Sequence, residues 1–115
     1  MSRGGEPPYV DVGDAALLSD GAVTSLEVGG RRILLCRADG RVYAVANRCT
    51  HAAWPLDAAP LVGCELVCEL HGARFDVRDG SVTAPPASRW LQTFEVRICA
   101  GRIEVRVPPP PGSDG

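Results

Sequence analysis

Both histidines of the chain lie close to a cysteine, one pair in Cys49-Thr50-His51 and the other in Cys68-Glu69-Leu70-His71. Two soft sulfur donors and two nitrogen donors, divided evenly between two short segments, are the ligand set of a mixed cysteine/histidine metal site. Two occupants satisfy it: a zinc ion in a Cys2His2 shell, or a [2Fe–2S] cluster in which histidine replaces cysteine on one iron. The internal order of the motifs bears on the choice. Zinc fingers usually pair like with like, two cysteines in one knuckle and two histidines on a helix. Here each motif is mixed. If two metals lie side by side, each motif can give its thiolate to one and its imidazole to the other.

No further residue set competes for chemistry. With both histidines used as ligands, no Ser/His/Asp or Cys/His catalytic group remains. Asp76 and Asp79 read as strand-end and turn residues. Gly29-Gly30 and Asp39-Gly40 read as hairpin turns with no phosphate-binding context. Cys36 and Cys99 lie in strand patterns among apolar residues and are expected to be buried, inert thiols. Cys64, four residues ahead of a ligand, is best read as a structural thiol, with an alternative ligand or a disulfide as the other options. Trp54 is read either as a lid or as an exposed docking residue, and Trp90 as part of the core.

The elements that must hold these motifs are short and turn-rich. Tyr9 to Val12 is a candidate first strand, and Asp14 to Leu18 can make one helical turn. Ala22 to Val28 alternates, turns at Gly29-Gly30 and returns as Arg31 to Arg37. Asp39-Gly40 turns again into Arg41 to Ala46, which leads to the first motif. Cys64 to Val67 is a short strand presenting Cys68. Arg74 to Val77 and Ser81 to Thr83 form a hairpin around Asp79-Gly80. Leu91 to Cys99 and Arg102 to Val107 form the last one, around Ala100-Gly101. Residues 55–60 read as irregular, and Pro108 to Gly115 as a polyproline-like, disordered tail. With no long helix and no repeat, the fold class is all-β: an antiparallel sandwich or open barrel of hairpins, with a metal-binding lobe inserted from about Asn47 to Pro86.

Composition sets the outer bounds. The chain has 115 residues, 45% of them hydrophobic and 23% charged, with a net charge of −2. That profile fits one globular domain, spanning residues 1–115, and supplies no basic footprint for nucleic acid. All basic residues are arginine. No apolar run reaches the roughly 20 residues of a membrane helix, and the polar start from Met1 to Pro8 lacks the apolar core of a secretory signal. A cytoplasmic location is therefore expected; a monomeric state is expected as well, though not from these features.

The order Cys49-Thr50-His51, Cys68-x-x-His71-Gly72, Arg74-Phe75-Asp76, Asp79-Gly80, Ala84-Pro85-Pro86 resembles that of Rieske proteins. From about Val10 to Val107 the chain is similar to the small Rieske-type ferredoxins of bacterial aromatic-ring-hydroxylating dioxygenases. The resemblance implies one [2Fe–2S] cluster, with Cys49 and Cys68 on the inner iron and His51 and His71 on the outer one, which lies nearer the surface. It implies that Pro85 and Pro86 belong to a third, covering loop. It further implies a one-electron carrier, not an enzyme, taking electrons from a flavin-dependent NADH reductase and delivering them to a terminal oxygenase. Ala52, Ala53, Trp54, Pro85 and Pro86 would give the docking face a small apolar character, with Arg48, Glu69 and Arg74 as rim charges. A Rieske-type small subunit of an assimilatory nitrite reductase is the alternative within the family, and a zinc-stabilised interaction module the alternative outside it.

The resemblance also ranks the potential. Two ferric ions, two sulfides and two thiolates sum to zero charge, so reduction leaves only −1, and neutral imidazole ligands raise the potential to between about −150 and +300 mV. Respiratory-chain Rieske proteins add a disulfide between the two loops; the corresponding residues here are Trp54 and Leu70. They also direct a serine and a tyrosine hydroxyl at the cluster sulfurs, where this chain has Ala73 and Phe75. Without those donors, a potential at the low end, on the order of −150 mV, is expected.

Overall fold

The computed structural model describes residues 7–49, 55–57, 59–68, 72–85 and 89–108. Among the described residues, ten strands form two antiparallel sheets. The first strands are β1 (Val10–Asp14), β2 (Val23–Val28), β3 (Arg31–Ala38) and β4 (Arg41–Ala46). The shorter β5 (Leu61–Val62), β6 (Glu65–Val67), β7 (Arg74–Asp76) and β8 (Val82–Ala84) follow, and β9 (Thr93–Cys99) and β10 (Arg102–Arg106) close the chain. The six-stranded sheet has the order β1-β10-β9-β4-β3-β2, and the four-stranded sheet the order β5-β6-β7-β8. The small sheet is thus inserted in sequence between β4 and β9. A 3-10 turn, Ala15–Leu17, is capped by the Asp14 carboxylate, which accepts from the Ala16 N–H.

Turn chemistry explains the hairpins. Gly29 and Gly30 both have positive φ, as do Asp39 and Gly40, and so do Ala100 and Gly101. Positive φ at both central residues matches the right-handed twist of the strands that such turns join. Only Ala100 lacks the side-chain type that tolerates this conformation cheaply.

The run Ile33-Leu34-Leu35-Cys36 is buried throughout because β3 is covered on both faces. Ile33 and Leu35 pack with Val42, Ala44, Phe94, Ile103 and Val105 inside the curved six-stranded sheet. Leu34, Cys36 and Ala38 face the other way and pack with Val45, Leu66, Phe75 and Val77 against the small sheet. Since successive side chains of a strand point to opposite faces, one strand divides its apolar residues between two cores. The β3–β4 pair is the wall between them.

One strand is added to the expected set, and three expectations are corrected. Leu61–Val62, adjoining a stretch read as irregular, pairs with β6 as an edge strand, Leu61 opposite Leu66. The first strand extends through Gly13 and Asp14, accommodated by a register shift between Asp11 and Gly13. Trp90 is 64% exposed, and Leu91 next to it enters the core instead. Cys99 is exposed because it falls on the outward face of β9 with Thr93, Glu95 and Arg97. The tail from residue 109 onward lies outside the described residues.

Candidate metal centre

The first motif is delivered by the end of β4. There the Ala46 N–H donates to the Gln92 carbonyl at 2.9 Å, and the Asn47 N–H donates to the Arg32 carbonyl at 3.1 Å. The chain is gripped from both sides two residues before Cys49. The second motif is delivered by β6. The Val67 N–H donates to the Pro60 carbonyl, and the Cys68 N–H donates to the Ala73 carbonyl at 2.7 Å. The Gly72 N–H donates back to the Cys68 carbonyl at 2.8 Å, with Gly72 at φ +79. Cys68 therefore sits at the neck of a hairpin whose two arms are β6 and β7.

Both thiols end in the same core. Cys49 is 0% exposed and Cys68 1%, and both pack in the cluster formed by Leu56, Leu66, Ala73, Phe75 and Leu91. Residues distant in sequence are brought together here by the stacking of the small sheet on the β3–β4 wall. His51 and His71 lie outside the described residues, as do Thr50, Trp54, Glu69, Leu70 and Pro86. Pro85, at the end of β8, is exposed.

The other cysteines show what this core does to a thiol. Cys36, in the same cluster, has its pKa pushed up to about 12 by burial, because a thiolate there would lose its hydration. Buried charges are tolerated only when paired or bound to a metal, so Cys49 and Cys68, buried in one core, make a donor pair suited to a cationic centre. Thiolate ligands delivered by the end of β4 and by the β6–β7 hairpin neck fit iron in that role. Cys64 is partly exposed and donates through Sγ to an Asp39 carboxylate oxygen at 3.7 Å. Burial raises its pKa, the Arg78 guanidinium opposes that, and the Asp39 carboxylate adds to it. It is not in a disulfide.

The expected roles of the acidic residues hold. Asp76 accepts from Arg78 through both carboxylate oxygens, at 3.0 and 2.7 Å, and this bidentate pairing keeps its pKa below the usual carboxylate value. Asp79 accepts from the Ser81 N–H within its turn. Arg74 is held by Glu65 at 3.1 Å, and Arg48 is exposed.

Two features of the site were not read from sequence. One is Asn47, the buried polar residue among those described, whose side chain bridges to Leu56 and Asp57. The other is Gly80, whose carbonyl accepts from the Leu91 N–H at 2.7 Å and so ties the β7–β8 turn to the segment leading into β9. An asparagine ending an apolar strand was a visible signal for the first. Nothing local marked the second.

The Rieske [2Fe-2S] domain family model matches residues 8–95. Among characterised proteins, the ferredoxin component of the naphthalene 1,2-dioxygenase/salicylate 5-hydroxylase systems of Ralstonia sp is 36% identical over 97 residues, covering 82% of this chain and 93% of the relative. The solved ferredoxin of carbazole 1,9a-dioxygenase from Nocardioides aromaticivorans IC177 superposes with a TM-score of 0.82 at 33% identity, over 89% of this chain and 98% of that one. A chain from the complex of reduced oxygenase and oxidized ferredoxin in carbazole 1,9a-dioxygenase superposes with a TM-score of 0.80 at 27% identity, over 85% and 92%. With two buried thiols in one core, Cys49 at the end of β4 and Cys68 at the neck of the β6–β7 hairpin, and a match spanning most of its length, the chain belongs to the Rieske [2Fe–2S] domain family and holds one cluster of that type.

Proposed function

We propose that the protein is a one-electron carrier that receives electrons from a flavin-dependent NADH reductase and passes them to a ring-hydroxylating dioxygenase. Cys49 and Cys68 hold the inner iron in this reading, and His51 and His71 the outer one. The observation that carries it is the reciprocal, nearly full-length match to ferredoxin components of aromatic dioxygenase systems. The solved complex of reduced oxygenase and oxidized ferredoxin in carbazole 1,9a-dioxygenase supports the terminal partner. When bound, the cluster supplies a single reversible electron. The chain's own contribution is to bury the thiolate side in the core between the two sheets and to leave the histidine side as the electron port.

Both partners use that one face in turn, and weak, transient contacts suit a carrier that must leave after each transfer. We place this carrier in the cytoplasm, where NADH is available to the reductase, and assign it a monomeric state. Among the described residues no helix is long and apolar enough to cross a membrane.

The test is dithionite reduction under anaerobic conditions, followed by EPR with resolution of nitrogen couplings. A rhombic signal coupled to two imidazole nitrogens is expected, with a midpoint on the order of −150 mV. Coupling to no nitrogen would remove His51 and His71 from the ligand set. A midpoint above about +100 mV would overturn the argument from the missing hydroxyl donors.

A further inference from the structure

We infer that Asn47 is a positioning residue for the first ligand motif, acting through a side-chain clamp on Leu56 and Asp57. The inference rests on the assignment of Cys49 and His51 as ligands and adds to it the device that fixes where their segment begins and ends. The Asn47 Nδ2–H donates to the Asp57 carboxylate at 2.5 Å, and its Oδ1 accepts from the Leu56 N–H at 2.6 Å. One amide thus uses a donor and an acceptor to join the two ends of segment 48–55, which carries both proposed ligands in sequence. The anchor itself is fixed, because the Asn47 N–H is bonded to the Arg32 carbonyl of the neighbouring strand. Leu56, the residue it grips, is 0% exposed and packs in the same core as Cys49 and Cys68.

Burial of a polar side chain is tolerated only when its hydrogen bonds are made. Asn47 is 6% exposed, so retaining an amide there, where an apolar residue would fill the strand end, calls for a reason beyond packing. The second motif needs no such side chain. Its neck is closed by backbone bonds between Cys68 and Ala73, because β6 and β7 continue into one another as a hairpin. The first motif leaves β4 and does not return to a partner strand of the same sheet, so a side chain supplies the closure. Outer partners of this kind set the orientation of metal ligands, and their loss typically costs about 10- to 100-fold in metal retention.

The chemistry of the clamp dictates the test. Asn47→Asp removes the donor and sets two carboxylates against each other. Adding Asp57→Asn restores a donor on the opposite side, so that the N47D/D57N pair can make both bonds again with the polarity reversed. Wild-type, N47D, N47A and N47D/D57N holoproteins are compared by iron loss to a chelator and by the EPR line positions of the reduced state. D11N, which breaks an ion pair with Arg102 on β10, serves as the control.

N47A and N47D are expected to lose iron about 10- to 100-fold faster than wild type, with shifted EPR lines. N47D/D57N is expected to recover both readouts, and D11N to change neither. Recovery in the exchanged pair is the result a general loss of packing would not produce. N47D as durable as wild type, or N47D/D57N no better than N47D, overturns the clamp. Should N47D accumulate without cluster, loading of N47D/D57N supports the inference, and its equal failure overturns it. If wild type itself shows no nitrogen coupling, the ligand assignment fails; if it does and the variants behave like wild type, only the clamp fails.

Discussion

At the scale of the residue, the cluster's surroundings are decided by which side chains can donate a hydrogen bond. Ala73 and Phe75 are both 0% exposed and pack with Cys68, and neither carries a hydroxyl. Reduction adds negative charge, and a donor aimed at a cluster sulfur stabilises the reduced state more than the oxidised one. Phe75→Tyr is therefore expected to raise the midpoint by about 60 mV, a tenfold change in a one-electron equilibrium. Redox titration of the purified variant checks this. An unchanged midpoint with the tyrosine in place would mean that position 75 does not face the cluster. Burial alone also separates the cysteines here. Cys36 is held neutral in the core while Cys99 faces water, although both stand in similar apolar strings in the sequence.

Elements are governed by turns, and three of the hairpins use positive φ at both central positions. Ala100, at φ +51, bears the Cβ cost of the left-handed conformation, about 1 kcal/mol. Ala100→Asn is expected to stabilise the protein by about that amount, read from urea unfolding midpoints, since asparagine visits this region readily. Gly80 lies at the other extreme. A Cβ there would come within 1.9 Å of the Leu91 carbonyl oxygen, on top of a φ of +80. Gly80→Ala should cost about 3 kcal/mol or more in the same assay, whereas Gly40→Ala, with open space around it, should cost about 1 kcal/mol. Equal losses at both glycines would mean that the Gly80–Leu91 approach does not hold the segment entering β9.

Across the whole molecule, two cores share one wall. Leu34 faces the core that contains Cys49 and Cys68, and its neighbour Leu35 faces the interior of the six-stranded sheet. Truncating either to alanine should destabilise the fold by about 2–5 kcal/mol. Cluster retention should separate them. Leu34→Ala is expected to release iron faster than Leu35→Ala at equal global stability, as measured by chelator challenge alongside urea unfolding. Indistinguishable release would mean that the cores do not act separately on the site.

The sequence by itself determined the chemistry and the local elements. The types and order of Cys49, His51, Cys68 and His71 are what the proposed ligand assignment rests on, and the paired glycines and Asp-Gly steps place hairpins, because both are properties of residues close in the chain. The all-β class followed from the same short-range pattern. Only the tertiary structure decided which apolar face meets which core, that Leu61–Val62 becomes an edge strand, that Trp90 stays outside while Leu91 goes in, and that Asn47 reaches Asp57. Those outcomes depend on partners supplied by other segments. Alternation tells that a side chain points up or down, but not whether another sheet lies there to cover it. A second sheet covers Leu34 and Cys36, and solvent meets Cys99.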